Sequence, residues 1–265
     1  MKRFIPLLAV AALVAVPAAT AKPAAVPTIK AGTLIVAYGD PNPGFVNGSV
    51  RGSKFVNPKG YEVDLAKEIA KRLGLKFESM YSPWTSLFAP GAKKFDISFQ
   101  EATITAQRKK TVDFTTSYLI ANQGVLLSKQ APVPHSLADL RKLQTCAQQD
   151  TTGLQYIQDR LKPDKKPLIF PTTTALYQSA QLNRCQAVIL DVPLVSLEAK
   201  SAPGKFGPVA GQIKTNELYG AVLQKGSKLT PVVDKTMKAI IKDGTLGKLQ
   251  KKWFNIDFSK VPVLK

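Results

Sequence analysis

Two stretches of this 265-residue chain carry complementary charge chemistry. Thr103-Ile104-Thr105-Ala106-Gln107-Arg108 supplies hydroxyls, amides at a helix start and a permanent guanidinium, a set suited to a carboxylate. Asp191 closes the apolar run Ala187-Val188-Ile189-Leu190 and supplies a lone carboxylate suited to an ammonium. A free amino acid carries both of those charges. Each fragment also has a plainer reading. Arg108 continues into Lys109 and Lys110 as a solvated basic run, and Asp191 stands where a capping aspartate would precede Pro193.

Cysteine and histidine usage narrows the remaining chemistry. Cys146 and Cys185 each fall just before a run that reads as a strand. If those strands are parallel neighbours their starts adjoin and a disulfide is possible; otherwise the two are buried thiols. His135 is the only histidine, and two distant cysteines make a poor zinc set, so no metal or cofactor is expected.

The elements that position these residues alternate. Leu34-Ile35-Val36-Ala37 reads as a short strand, and Val63, Leu65, Ala66, Ile69, Ala70 and Leu73 form an apolar helical face that stops at Gly74. Phe95-Asp96-Ile97-Ser98-Phe99, Gly124 to Leu127 and Gln186 to Leu190 read as further strands. Ser136 with Asp139 marks a helix start, Thr105 caps a short helix holding Arg108, and apolar spacing predicts a helix between Pro231 and Gly244. Strands alternating with helices predict an α/β fold with parallel sheets.

At the start, Lys2 and Arg3 precede an apolar run from Phe4 to Val16 and a small-x-small site, Ala19-Thr20-Ala21. This reads as a secretory signal peptide, residues 1–21, cleaved after Ala21, and places the mature protein in the periplasm. No cysteine follows the cleavage point to accept a lipid. The formal charge of +19 is spread over lysine pairs such as Lys93-Lys94 and Lys251-Lys252, with no interleaved aromatic platform. That pattern reads as a cationic solvated surface and not as a nucleic-acid-binding one.

The order of several motifs resembles the type 3 periplasmic solute-binding proteins, which capture amino acids for ABC transporters. Those motifs are Gly60-Tyr61-Glu62-Val63-Asp64-Leu65-Ala66, Trp84 ahead of Phe95-Asp96-Ile97, Thr103 to Arg108 followed by Val112-Asp113-Phe114 and Tyr118, and Asp150-Thr151-Thr152-Gly153. Ala187 to Asp191 with Pro193, Tyr219-Gly220-Ala221-Val222, Asp243-Gly244-Thr245-Leu246 and Lys252-Trp253-Phe254 complete the set. The resemblance implies a type II periplasmic binding protein fold, two α/β lobes with parallel-rich sheets joined by two hinge strands. Lobe 1 would be residues 29–121 plus 217–265 and lobe 2 residues 122–216, with hinges near Ala121-Asn122-Gln123-Gly124 and Thr215-Asn216-Glu217.

The resemblance also implies roles. Arg108 and Thr103 from one lobe and Thr152 from the other would hold a carboxylate; Asp191 would hold the α-ammonium. Trp84 would cover the ligand's side chain, Asp40 would reach a polar or basic group, and Gln148 would line the pocket. Two departures stand out. Glu101 occupies a position commonly held by glycine, so its side chain adds a second negative charge to the expected pocket. The loop Asp40-Pro41-Asn42-Pro43-Gly44-Phe45 is short and lacks the family's aromatic, leaving Tyr38 or Phe45 to substitute or that wall open. Asn47 to Pro58 reads as an insertion. The implied function is a monomeric amino-acid receptor, non-enzymatic, that closes on a polar or cationic amino acid and serves an ABC permease. The rivals are a dehydratase of the same fold, with Glu101 as general acid, and a sensor module with a different partner.

Overall fold

The computed structural model describes Met1 and residues 25–265. Residues 2–24, which hold most of the expected leader and its cleavage point after Ala21, lie outside the described residues. No described helix is long and apolar enough to cross a membrane.

The chain opens with β1 (Thr33–Tyr38), a hairpin of β2 (Asn47–Arg51) and β3 (Lys54–Lys59), α1 (Tyr61–Arg72), β4 (Lys76–Tyr81), the single turn α2 (Trp84–Leu87) and β5 (Ile97–Ser98). A 3-10 turn at Arg108–Lys110 leads into β6 (Val112–Phe114) and the long β7 (Leu119–Leu127). Then come α3 (Leu137–Arg141), β8 (Thr145–Gln148), α4 (Thr152–Tyr156), β9 (Leu168–Phe170), α5 (Thr173–Gln181), β10 (Ala187–Asp191) and α6 (Val192–Ser201). β11 (Val209–Tyr219), β12 (Val222–Gln224), α7 (Thr230–Lys242) and α8 (Thr245–Trp253) follow.

Local chemistry accounts for most of these boundaries. In α1 the expected apolar face is buried through Val63, Leu65, Ala66, Ile69 and Ala70, with Glu62 and Asp64 in the first turn and Lys71 and Arg72 in the last, as the helix dipole favours. Gly74, at φ 67°, ends it. Gly60 precedes it at φ 145°, where a Cβ would collide with the Phe45 carbonyl, so only glycine fits. The Ser136 hydroxyl accepts from the Asp139 amide at 3.1 Å and starts α3 as expected. The Phe95-to-Phe99 strand shrinks to Ile97–Ser98, because Asp96 turns its carboxylate onto the amides of Ile29 and Ile35 at 2.7 and 2.8 Å. The insertion from Asn47 is the β2–β3 hairpin, anchored by buried Phe55 against Tyr38 with ring centroids 5.6 Å apart.

Two five-stranded sheets carry the site, ordered β4-β1-β5-β12-β6 and β11-β7-β10-β8-β9. They are mixed and not purely parallel. β4, β1 and β5 are parallel, as are β10, β8 and β9, whereas β12 runs antiparallel in the first sheet and β7 and β11 antiparallel in the second. β7 and β11 pair from Leu126 back to Leu119 and form the connection between the sheets. The chain's final residues return to the second sheet. The Gln212 amide donates to the Pro262 carbonyl and the Leu264 amide donates to the Gln212 carbonyl, and Leu264 is buried beside Ile213. This part of the expected first lobe therefore packs against the other half.

Cys146 and Cys185 are bridged, with Cα atoms 5.9 Å apart. The pairing of Val188 with Cys146 in parallel strands β10 and β8 brings them together, so the disulfide alternative holds and the thiol alternative does not. Gly124 on β7 lies where an added Cβ would stand 2.6 Å from Val195 Cγ2, which lets α6 press flat onto the connecting strand.

Candidate ligand-binding site

Parallel strands present their carboxyl ends on one side of a sheet, where ligand sites of open α/β proteins form. Here β1 ends ahead of Asp40, β4 ahead of Trp84, β5 ahead of Glu101, β8 at Gln148 and β10 at Asp191. These five residues line one small cavity of about 30 Å³, with Asn42, Thr151 and Leu194. That volume holds a couple of waters, so anything larger enters only when the two sheets separate.

Asp191 is 6% exposed, and among the described residues it forms no salt bridge. Gln123, directly opposite on β7, donates its amide to the carboxylate at 2.5 Å. Burial, then the nearby Glu217 charge, pushes the Asp191 carboxyl up to about 8, against the opposing pull of Arg108 and the Gln123 amide. Asp191 occupies the N-cap position of α6, but its side chain makes no capping bond, so capping does not account for it.

Glu101 is buried in the left-handed region at φ 47°, the conformation a glycine takes easily, and its amide donates to Glu62 at 3.0 Å. The same Glu62 oxygen accepts from the Tyr118 hydroxyl, and Asn42 donates to Glu101 at 3.3 Å. One oxygen on each carboxyl, Glu62 Oε2 and Glu101 Oε1, has no hydrogen-bond partner among the described residues. Burial first, and then the Glu62 charge, raises Glu101 well above the usual carboxylate range. Burial raises Glu62 as well, opposed by Tyr118 and the Glu101 amide.

Arg108 sits in the 3-10 turn started by Thr105, whose hydroxyl accepts from the Arg108 amide at 3.1 Å. The guanidinium donates to the Thr103 carbonyl at 2.8 Å and across the cleft to the Asp150 carbonyl at 2.9 Å. It lies over the rings of Phe88 and Trp84, 4.2 and 5.1 Å from their centroids. Burial lowers its pKa to about 10, so it stays protonated. Trp84 spans the cleft as well, donating to the Gln149 carbonyl at 3.0 Å.

The expected site residues thus fall into three adjoining spaces and not one. Asp40, Trp84, Glu101, Gln148 and Asp191 line the cavity; Arg108, Thr152 and Trp84 line an open groove outside it. Thr103 and Thr152 line a third cleft together with Glu217. Tyr38 and Phe45, the suggested substitute aromatics, are wholly buried core residues that line none of these spaces. The α4 cap is Thr151, whose hydroxyl accepts from the Leu154 amide at 3.1 Å, and this frees the Thr152 hydroxyl to face the cleft.

Residues 34–256 match the bacterial extracellular solute-binding proteins, family 3. The chain belongs to that family. Among similar proteins, the L-cystine-binding protein TcyJ of Escherichia coli is 26% identical over 204 residues, covering 76% of each chain. The arginine-binding extracellular protein ArtP of Bacillus subtilis is 31% identical over 208 residues, covering 75% of this chain and 78% of that one. A solved structure of an ancestral arginine-binding protein bound to glutamine superposes with a TM-score of 0.75 at 29% identity, covering 86% of this chain and all of the other. The fold is the two-lobed type II periplasmic binding fold. This family 3 protein is a binding protein and not an enzyme.

Three residues of the site escaped the sequence reading. Glu62 resembles an ordinary first-turn acid of an amphipathic helix, yet it points inward and is completely buried. Gln123 and Glu217 fall in the expected hinge segments, where only backbone bending is anticipated. Gln123 is nevertheless wholly buried, and Glu217 is half-buried in the cleft. A pair of polar residues inside a mostly apolar β-strand, Asn122 and Gln123 in β7, was the available signal.

Proposed function

We propose that this protein captures a free amino acid between two lobes by hinge closure and presents it to the permease of an ABC transporter. The observation that carries this reading is Asp191, a buried carboxylate in the cavity between the sheets with no salt-bridge partner among the described residues. Burial without a cation raises its pKa to about 8, and a ligand ammonium supplies the cation that favours the ionised carboxylate. Arg108, Thr103 and Thr152 take the carboxylate, and Trp84, Asp40, Glu101 and Gln148 surround the side chain. The lobes are residues 29–121 with most of 217–265, and 122–216, turning about the β7–β11 connection. The protein works as an exported monomer once the leader is removed after Ala21. The relatives' names, arginine-binding and cystine-binding, fit a free amino acid. Asp40 and Glu101 with Trp84 favour a polar or cationic one.

A thermal-shift screen across the common amino acids tests the reading, since a ligand that binds only the folded protein raises its melting temperature. A polar or cationic amino acid should give the largest shift; a clear preference for aspartate or glutamate would contradict the side-chain assignment. Arg108→Ala should weaken the best ligand by about 2–5 kcal/mol in calorimetry, the usual loss when a desolvated carboxylate is left without its partner. Unchanged affinity would sink the carboxylate assignment.

A further inference from the structure

The Glu217 carboxylate ties the two halves of the molecule together. Its Oε2 accepts from the Thr103 hydroxyl at 2.8 Å and from the Thr152 hydroxyl at 2.6 Å, and its Oε1 accepts from the Gln123 amide at 2.9 Å. Thr103 follows β5 of the first sheet, and Thr152 opens α4 after β8 of the second. The backbone is shaped to present this side chain. The β7–β11 register breaks between Ile213 and Glu217, Asn216 turns to φ 53°, and Asn122 Oδ1 accepts the amides of Thr215 and Asn216 at 3.1 and 3.0 Å. No lysine or arginine salt bridge engages Glu217 among the described residues.

A hydroxyl has one proton to donate. Thr103 and Thr152 both give theirs to Glu217, so neither hydroxyl can donate to a ligand carboxylate while this arrangement lasts. We propose that Glu217 is an affinity-setting residue: an internal carboxylate that latches the lobes through Thr103 and Thr152 and must withdraw before a ligand carboxylate takes its place. The competition rests on the reading of those threonines as carboxylate-binding residues; the latch rests on the hydrogen bonds alone. Two effects oppose each other in such a device. A latch that holds the lobes together pre-organises the cleft, which favours ligand. It also blocks the two donors, and blockage prevails because Glu217 lines the same cleft as Thr103 and Thr152 and already takes the one proton each hydroxyl can give.

The test compares wild type with Glu217→Ala and Glu217→Gln, each freed of small molecules by dialysis from denaturant and refolded. Small-angle scattering without added ligand should show wild type matching the closed shape and Glu217→Ala with a larger radius of gyration. Glu217→Gln, which keeps an acceptor oxygen, should fall between them and serves if the alanine variant fails to fold. An open wild type, or variants as closed as wild type, would overturn the latch. Calorimetry with L-arginine and with L-argininamide, which lacks the carboxylate, tests the competition. Arginine should bind Glu217→Ala at least about threefold more tightly than wild type, with argininamide unchanged. Weaker arginine binding by the variant, or equal tightening for both probes, would overturn the competition. If neither probe binds wild type, the cationic reading of the ligand fails and the competition with it, whereas scattering still decides the latch.

Discussion

Asp191 is a buried carboxyl beside another acid, and its pH behaviour follows from that. Its folded-state pKa of about 8 stands far above the ordinary 3.8, so between those values the folded protein binds more protons than the unfolded chain. The stability supplied by the neutral acid is complete below about pH 4 and is lost as pH rises through about 8. Asp191→Asn keeps an oxygen for the Gln123 amide and removes the titration. The variant should gain about 1–3 kcal/mol in denaturant unfolding at pH 8, with the gain vanishing near pH 4, while losing ligand binding. A gain equal at both pH values would show that burial does not govern this group. Glu101 illustrates the same force differently. Burial, and then the Glu62 charge, raises its carboxyl well above the ordinary range.

Among the elements, the disulfide does for the second sheet what a larger core would otherwise do. Cys146 on β8 and Cys185 just before β10 close a loop with a sequence separation of 39. Breaking it with Cys146→Ser and Cys185→Ser together should lower unfolding stability by about 2–4 kcal/mol, because the unfolded chain regains loop freedom. Equal stability with and without the bridge would mean that sheet packing alone holds these strands. Helix and strand positions were largely legible where apolar spacing was strong, as in α1, β1, β10 and α7. They were less so where a side chain redirected the backbone. Asp96 shortens β5, and of the adjacent Thr151 and Thr152, which offer the same capping chemistry, the turn geometry selects Thr151 to cap α4.

For the whole molecule, the sign of the charge depends on distance. The chain carries +19 formally, spread over its lysines, while Asp40, Asp191 and Glu217 face inward. At low salt, where the Debye length is about 30 Å, an approaching cation meets the net positive field; at about 0.15 M salt, where it is about 8 Å, only the local acids act. The association rate of a cationic ligand should therefore rise with salt, measured by stopped-flow tryptophan fluorescence. A falling rate would show that the acidic cleft dominates even at long range. Closure itself is a property of this scale. Trp84 and Arg108 each reach from the first half to a backbone carbonyl of the second, at Gln149 and Asp150, so opening the cleft breaks both bonds at once.

The sequence alone determined the alternating α/β elements and the charge types of the site, and the order of its motifs carried the resemblance to the family. The elements depend on periods of two and 3.6 residues, which a linear chain displays openly. It also brought Cys146 and Cys185 within reach, once their strands were taken as parallel neighbours. Only the tertiary structure decided that Arg108 and Asp191 line separate spaces, that Tyr38 and Phe45 belong to the core, and that Glu62, Gln123 and Glu217 enter the site. The reason is physical. Burial and the company of other charges set what a carboxyl does, and both depend on residues brought together from distant parts of the chain. Glu217 meets Thr103 across 114 positions and Thr152 across 65, a meeting that no local pattern encodes.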